Sequence, residues 1–267
     1  MLAKWVGWGG LTQAFAAPDG KVHTGWEAEV AELEGLLSAD EMNAAKESTL
    51  SAYYTPNKLI RTMWDAVAKL GFKGGRVLEP SAGSGAFIGL MPEELKEGTT
   101  VIGTELDPLT AKIANFLYPE AKIKNTGFET YKIGSNGVRM VIGNPPYGSF
   151  GVESGVRPHL GGFSIHNYFM AAGIDALQEN GIMAMVVSSA FMDAQNEDAR
   201  LYIAKQAEFL GGVRLPSGYF KKEAGTEVTT DLVFFRKLTE AERKKQYAER
   251  HVTNEDGSTS IETQVIG

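Results

Sequence analysis

Polar and apolar positions along this chain keep two rhythms. Between residues 76 and 237, short runs rich in Val, Ile, Leu and Met are bounded by Gly, Pro, Asn and Asp. Runs of that kind read as strands. They fall at 76–80, 99–106, 121–125, 138–144, 181–190, 211–215 and 229–237. Helical spacing fills the gaps. One helix runs from the Gly-rich "SAGSGAF" to about Met91, another starts at Asp107-Pro108, and two more cover 166–178 and 196–210. Such alternation predicts an α/β fold, a Rossmann-like, doubly wound, mostly parallel seven-stranded sheet.

The flanks read differently. Leu59, Met63, Trp64 and Val67 share one helical stripe, and Thr55 as N-cap with Pro56 at the first helical position opens that helix. Residues 27–47 are helical in pattern, with a break at the capping box Ser38–Glu41; a second box, Thr239–Glu242, opens a last helix. The first 25 residues, rich in Gly and Trp, read as an irregular arm, and "NEDGSTS" near the other end as frayed. The expected division is 1–50 for the arm and helical extension, 51–238 for the α/β domain, and 239–267 for a helix and flexible tail.

In a doubly wound sheet, ligands bind beyond the carboxyl ends of strands, near the switch in strand order. Three stretches rich in chemistry sit at such ends: 79–87, 105–107 and 144–147. The first, in "LEPSAGSGAF", is a Gly-rich turn into a helix, whose free N–H groups suit a ligand. Glu79 at its start would repel a pyrophosphate and suits a cation. Glu105 ends the next strand, twenty positions after Gly85, the spacing at which a carboxylate accepts ribose hydroxyls. Together these read as a nucleoside site with a cationic, phosphate-free tail, which S-adenosylmethionine fits better than NAD.

The third stretch is Asn144-Pro145-Pro146-Tyr147. An exocyclic amine on a nucleobase is a weak nucleophile because its lone pair is delocalised into the ring. Acceptors aimed at its N–H bonds localise that pair, and the Asn144 side chain with the Pro145 carbonyl supplies two. Proline fixes φ and lacks an N–H, so Pro145 and Pro146 hold those carbonyls rigidly. Tyr147 offers a face on which a flipped base can stack.

Composition narrows the chemistry. The absence of cysteine excludes disulfides, zinc-thiolate sites and methylation through a cysteine adduct. Four scattered histidines show no ligand spacing, so no metal is expected. The net charge of −7 argues against a wide basic face, so any nucleic-acid contact is local or helped by another segment or partner. No apolar run reaches the roughly 18–20 residues of a membrane span, and "MLAKWVGWGGL" is a poor signal peptide. A cytoplasmic protein is expected.

The order "AYYTP", "VLEPSAGSGAF", "GTELDP", "GNPPYG" resembles the amino-methyltransferases that methylate N6 of adenine in DNA, over about residues 50–238. "WVGWGGLTQAF", "SIHNYFMAAGIDAL", "MDAQN" and "VRLPSGYFKKEAGTEVTTDLVFFRK" resemble the large phage- and plasmid-borne members often fused to a helicase. The resemblance implies S-adenosylmethionine as cofactor, a flipped adenine of DNA as substrate and a bacterial, phage or plasmid origin. It implies that Tyr54, Thr55 and Pro56 close over the methionine end, and that Glu79, Ser81, Gly83 and Gly85 line the amino-acid portion. Glu105 would bind the ribose, with Leu106 and Phe128 near the adenine. Asn144 to Tyr147 would hold the target amine, and Phe220 either faces the flipped base or belongs to the core.

There are two departures from the family pattern. Gly127 stands where an aspartate usually precedes the phenylalanine, with Glu129 as a substitute from another angle. A target-recognition region is also missing, which points to low sequence specificity or to a separate recognition or helicase segment. Candidates within the chain are the 148–165 loop (Arg157, His159), whose Gly-rich part 148–162 is expected to be a mobile flap, the N-terminal arm, and "FKKEAG". The alternatives are a methyltransferase acting on a protein glutamine or on guanine N2 of ribosomal RNA, and a non-catalytic cofactor-binding module.

Overall fold

The computed structural model describes residues 5, 7–8, 11–15, 21–49, 55–133, 137–220, 229–248, 251–253 and 259–261. Seven strands form one sheet: β1 (Gly75–Glu79), β2 (Thr99–Glu105), β3 (Lys122–Asn125), β4 (Val138–Gly143), β5 (Leu177–Ser188), β6 (Ala207–Arg214) and β7 (Thr230–Lys237). Their order is β3-β2-β1-β4-β5-β7-β6. All neighbours are parallel except the pairs of β7 with β5 and β6. The expected mostly parallel sheet is therefore present, with β7 as its antiparallel insertion.

Both faces of the sheet are buried, as near-continuous apolar strands require. On β5, Met183, Met185 and Val187 face one core and Ile182, Ala184 and Val186 the other. The first core packs on α7 (Ile165–Ala176) and α9 (Asp198–Ala204), through side chains such as Met170 and Ile203. The second packs on α3 (Asn57–Lys69), whose Leu59, Ile60, Met63, Trp64 and Val67 are buried. The Trp64 indole also donates to the Phe87 carbonyl at 3.0 Å, fixing α3 to the turn after β1. Between β1 and β2 lie two short helices, α4 (Ala86–Gly89) and α5 (Glu93–Lys96). α6 (Pro108–Leu117) follows β2, and α8 (Ser189–Asp193) follows β5.

Both capping boxes form. Ser38 and Glu41 bond reciprocally between α1 (Glu27–Leu36) and α2 (Ala39–Ser48), and Thr239 and Glu242 open α10 (Glu240–Ala248). Asp107 caps α6 by accepting from the Thr110 N–H at 3.0 Å.

Several boundaries move. Pro56, not Thr55, is the N-cap of α3, and Thr55 turns its hydroxyl toward β4 instead. The helix after the Gly-rich turn is a single turn ending at Gly89. The helix expected to reach Leu210 stops at Ala204. Ala207 and Phe209 pair with Lys237 and Phe235 on β7, and pairing at the sheet edge overrides helical spacing. Gly211 (φ +135°) sits at a register shift inside β6, so the glycines read as a strand start mark a bulge. Near the other end of the chain, His251–Thr253 (β8) and Thr259–Ile261 (β9) pair antiparallel; residues 254–258 of "NEDGSTS", expected to fray, lie outside the described residues.

The Gly-rich loop 148–162, expected to be a mobile flap, is bonded to its surroundings. Gly151 and Ser164 form a bridge, and the Ser154 hydroxyl donates to the Glu129 carbonyl at 2.6 Å. Arg157 is buried: its guanidinium donates to the carbonyls of Phe128 and Tyr131 and to the Tyr168 hydroxyl, each at 3.1 Å, and lies 4.7 Å from the Phe128 ring centre. A cation held this way is unavailable to a phosphate. His159 is more exposed and pairs with Asp175 at 2.8 Å. The lysines of "FKKEAG" lie outside the described residues.

Arg157→Met would remove three hydrogen bonds donated by a buried charged group, each worth about 1.5–3 kcal/mol. The expected outcome is a loss of roughly 3 kcal/mol or more in denaturant unfolding. An unchanged unfolding midpoint with weaker, salt-sensitive DNA binding would make Arg157 a DNA contact instead.

Candidate active site

The chain runs outward from β1 to β3 and then returns to the far side of β1 as β4. β1 and β4 are thus parallel neighbours, Val77 opposite Met140, at the point where strand order switches. Their carboxyl ends part there and leave a crevice. The Ser81 hydroxyl donates to the Asn144 carbonyl at 2.9 Å and ties the two strand ends together. The crevice is a cavity of about 660 Å³. Thr55, Glu79, Ser81, Gly83, Glu105, Leu106, Phe128, Asn144 and Pro146 all stand on its wall, so the three motifs share one site.

The turn after β1 is fastened to β2. The Thr104 hydroxyl donates to the Pro80 carbonyl at 2.6 Å, and the Ala82 N–H to the Thr104 carbonyl at 2.8 Å. Gly83 (φ +53°) faces open space. Gly85 does not reach the wall. Its φ of +85° favours glycine, and a Cβ there would lie 2.6 Å from the Tyr118 ring, so it serves the turn and its packing.

Two buried acids dominate the electrostatics of the cavity. Glu79 is 2% exposed, and its Oε2 has no hydrogen-bond partner among the described residues. Burial, and then the negative charge of Glu105, push the Glu79 carboxyl well above the usual carboxylate range. Glu105 is also raised by burial, but less freely. Its Oε2 accepts from the Gly83 N–H at 2.8 Å and its Oε1 from the Asp107 N–H at 2.9 Å, which favour the charged form. A ligand carrying a positive group and a diol fits both acids. The orphaned Glu79 oxygen is the observation that makes S-adenosylmethionine a fit, and a pyrophosphate cofactor a misfit.

At the opposite side, the Asn144 amide donates to the Thr55 hydroxyl at 3.1 Å, and its Oδ1 accepts from the Tyr147 hydroxyl at 2.7 Å. Pro145 is buried beneath the wall, and Pro56 lies off it, capping α3. Tyr147 also lies off the wall, with its ring edge on His166 at 5.2 Å between centroids. His166 escaped the sequence reading. Its Nδ1 is 3.3 Å from the Pro146 carbonyl, so that nitrogen carries the proton, and burial pushes its pKa down to about 4. The imidazole is neutral near pH 7 and braces the second proline. Phe220 is 2% exposed in the core beside α3 and is absent from the cavity wall. A buried aromatic and a base-stacking one look alike in sequence. Tyr54 lies outside the described residues.

The far end of the cavity holds Leu106, Thr126 to Glu129 and Phe150 to Glu153. Phe128 touches the wall but is 1% exposed, with Arg157 on its ring and Phe169 at 5.1 Å, so no open face is left for stacking. The accessible apolar side chains there are Leu106, 67% exposed, and Phe150, 59% exposed. A Cβ at Gly127 would collide with the Glu129 carboxylate. Glu129 thus fills the space that a longer residue 127 would take, and both line the cavity.

This seven-stranded sheet, mostly parallel with one antiparallel strand, is the fold of the S-adenosylmethionine-dependent methyltransferases. A class I member from Listeria monocytogenes shares the fold at a TM-score of 0.55 and 15% identity, over 80% of this chain and 67% of that one. Residues 93–215 match the Eco57I restriction-modification methylase family, and the resemblance read from the motifs is borne out. The chain is 31% identical over 193 residues to the Defense against restriction protein B of Escherichia phage P1, covering 71% of this chain and 8% of that protein. It is 26% identical over 164 residues to the Type II methyltransferase M.TthHB8I of Thermus thermophilus, covering 55% of this chain and 37% of that one. The chain therefore spans much less than two thirds of either relative.

Glu79 generates a pH prediction. Its folded pKa lies above its unfolded value, so stability of the ligand-free protein falls as pH rises from the unfolded pKa to the raised one, and is level beyond. Glu79→Gln should remove that slope and raise the melting temperature at pH 8 but not at pH 4. Identical melting curves at both pH values would contradict the buried, unpaired carboxylate.

Proposed function

We propose that this chain transfers the methyl group of S-adenosylmethionine to N6 of adenine in DNA, with low sequence specificity, through a methyltransferase domain of residues 51–238. The observation that carries this reading is that Glu79, Glu105 and Asn144 line one cavity. Bound there, S-adenosylmethionine would supply an electrophilic methyl group and leave as a neutral thioether. Glu79 would take the positive amino-acid end, and Glu105 would accept from the ribose hydroxyls. Glu129, which lines the cavity beside Gly127, would take the place of the missing acid at 127 toward the adenine amine.

Asn144 Oδ1 and the Pro145 carbonyl accept the two N–H bonds of the target amine and localise its lone pair. Thr55 fixes which way the carboxamide points. The Tyr147 hydroxyl holds Oδ1 until the amine exchanges for it, and the ring then meets the flipped base. Reaction needs the nitrogen and methyl carbon held about 3–3.5 Å apart. The alkylated nitrogen gives its excess proton to water. DNA is the partner, and a separate recognition or helicase segment supplies what this chain lacks. The small share of both relatives that the chain spans supports this.

A labelled-methyl assay tests the reading. Label should appear on adenine N6 of DNA, and Asn144→Ala should cut the rate about 10²-fold or more while keeping cofactor affinity, as expected for loss of a transition-state acceptor. Label in protein or ribosomal RNA but not in DNA would contradict it, as would an active Asn144→Ala.

A further inference from the structure

The cavity wall includes residues from outside the α/β domain: Gly7, and Ala44 and Ser48 of α2. The segment that brings Gly7 there is fastened at defined points. The Ser84 hydroxyl, in the Gly-rich turn, donates to the Trp5 carbonyl at 2.7 Å. The Trp5 indole N–H donates to the Thr110 hydroxyl, in the first turn of α6, at 3.0 Å. That hydroxyl in turn bonds the Asp107 carboxylate, whose own N–H is bonded to Glu105. One tryptophan therefore bridges the two loops that carry Glu79 and Glu105.

The bridge is backed by packing. Trp8 stands edge-on to Trp5 at 5.0 Å and to Phe15 at 5.6 Å. Trp8, Ala14 and Phe15 are buried with Ala45 of α2 in a small third core, against which Leu109 of α6 packs. Gly7 takes φ +82°, which turns the backbone between the two indoles and sets it against the cavity. The Lys112–Glu41 ion pair at 3.0 Å also joins α2 to α6.

We infer that the tryptophan segment is part of the cofactor site, with Trp5 a positioning residue that holds the Gly-rich turn and the Glu105–Asp107 loop at the spacing a nucleoside sulfonium requires. This rests on the methyltransferase reading above. Trp5 touches neither the target amine nor Asn144, so its effect belongs to cofactor binding and not to the chemical step.

The test is calorimetric titration of the whole chain and its Trp5→Ala and Trp5→Phe variants with S-adenosylhomocysteine, alongside donor-dependent rates. Losing both the ring and the indole bond should raise the dissociation constant and the donor KM about tenfold or more, with kcat at saturating donor within about twofold. Trp5→Phe keeps a ring against Trp8, loses the bond to Thr110, and should fall between. If Trp5→Ala does not fold, Trp5→Phe decides. Unchanged affinity in the folded variants, or a fall in kcat at constant KM, overturns the inference while leaving the proposed function standing. Failure of the wild-type chain to bind S-adenosylhomocysteine overturns the cofactor reading and this inference with it.

Discussion

The hydroxyl of Ser81 on the backbone carbonyl of Asn144 joins two strand ends that the chain reaches sixty-three residues apart. β1 and β4 become neighbours only because the sheet is wound outward first and then restarted on the other side. The crevice between them is a by-product of that winding, and it brings an acid from one strand and an amide from the other to a single wall. Thr55, from the start of α3, bonds the same asparagine. Three separate parts of the chain thus determine where one carboxamide points.

Charge is managed differently on the two sides of the crevice. On the β1 side the protein buries a carboxyl whose Oε2 has no hydrogen-bond partner among the described residues, and burial disfavours its charged form. On the β4 side it keeps charge away. His166 is neutral and bonded to a carbonyl, and the buried Arg157 is occupied by backbone oxygens and a ring. In the proposed reaction, an amine approaching Asn144 would meet neutral acceptors, which localise its lone pair without protonating it.

Much of this was legible in the sequence because it is local. Each strand end carries its own punctuation, and a glycine turn, an acid and the Asn-Pro-Pro-Tyr turn stand at three of them. The errors arose where long-range contacts decide. Thr55 looked like a cap because Thr-Pro favours one, but Asn144, eighty-nine positions away, competes for its hydroxyl. Gly85 looked like a ligand glycine and is required by Tyr118. Phe220 and Phe128 carry aromatic rings that sequence cannot sort between core and pocket. The tryptophan segment left no periodic pattern, since its meaning lies in bonds to Ser84 and Thr110.

The position of the cofactor's sulfur is the decisive observation. A crystal structure of the chain with S-adenosylhomocysteine should place its amino group on Glu79, its ribose on Glu105, and its sulfur facing the Asn144 carboxamide, with space between them for one planar amine. A thioether turned away from Asn144, or a ligand bound outside the crevice between β1 and β4, would contradict it.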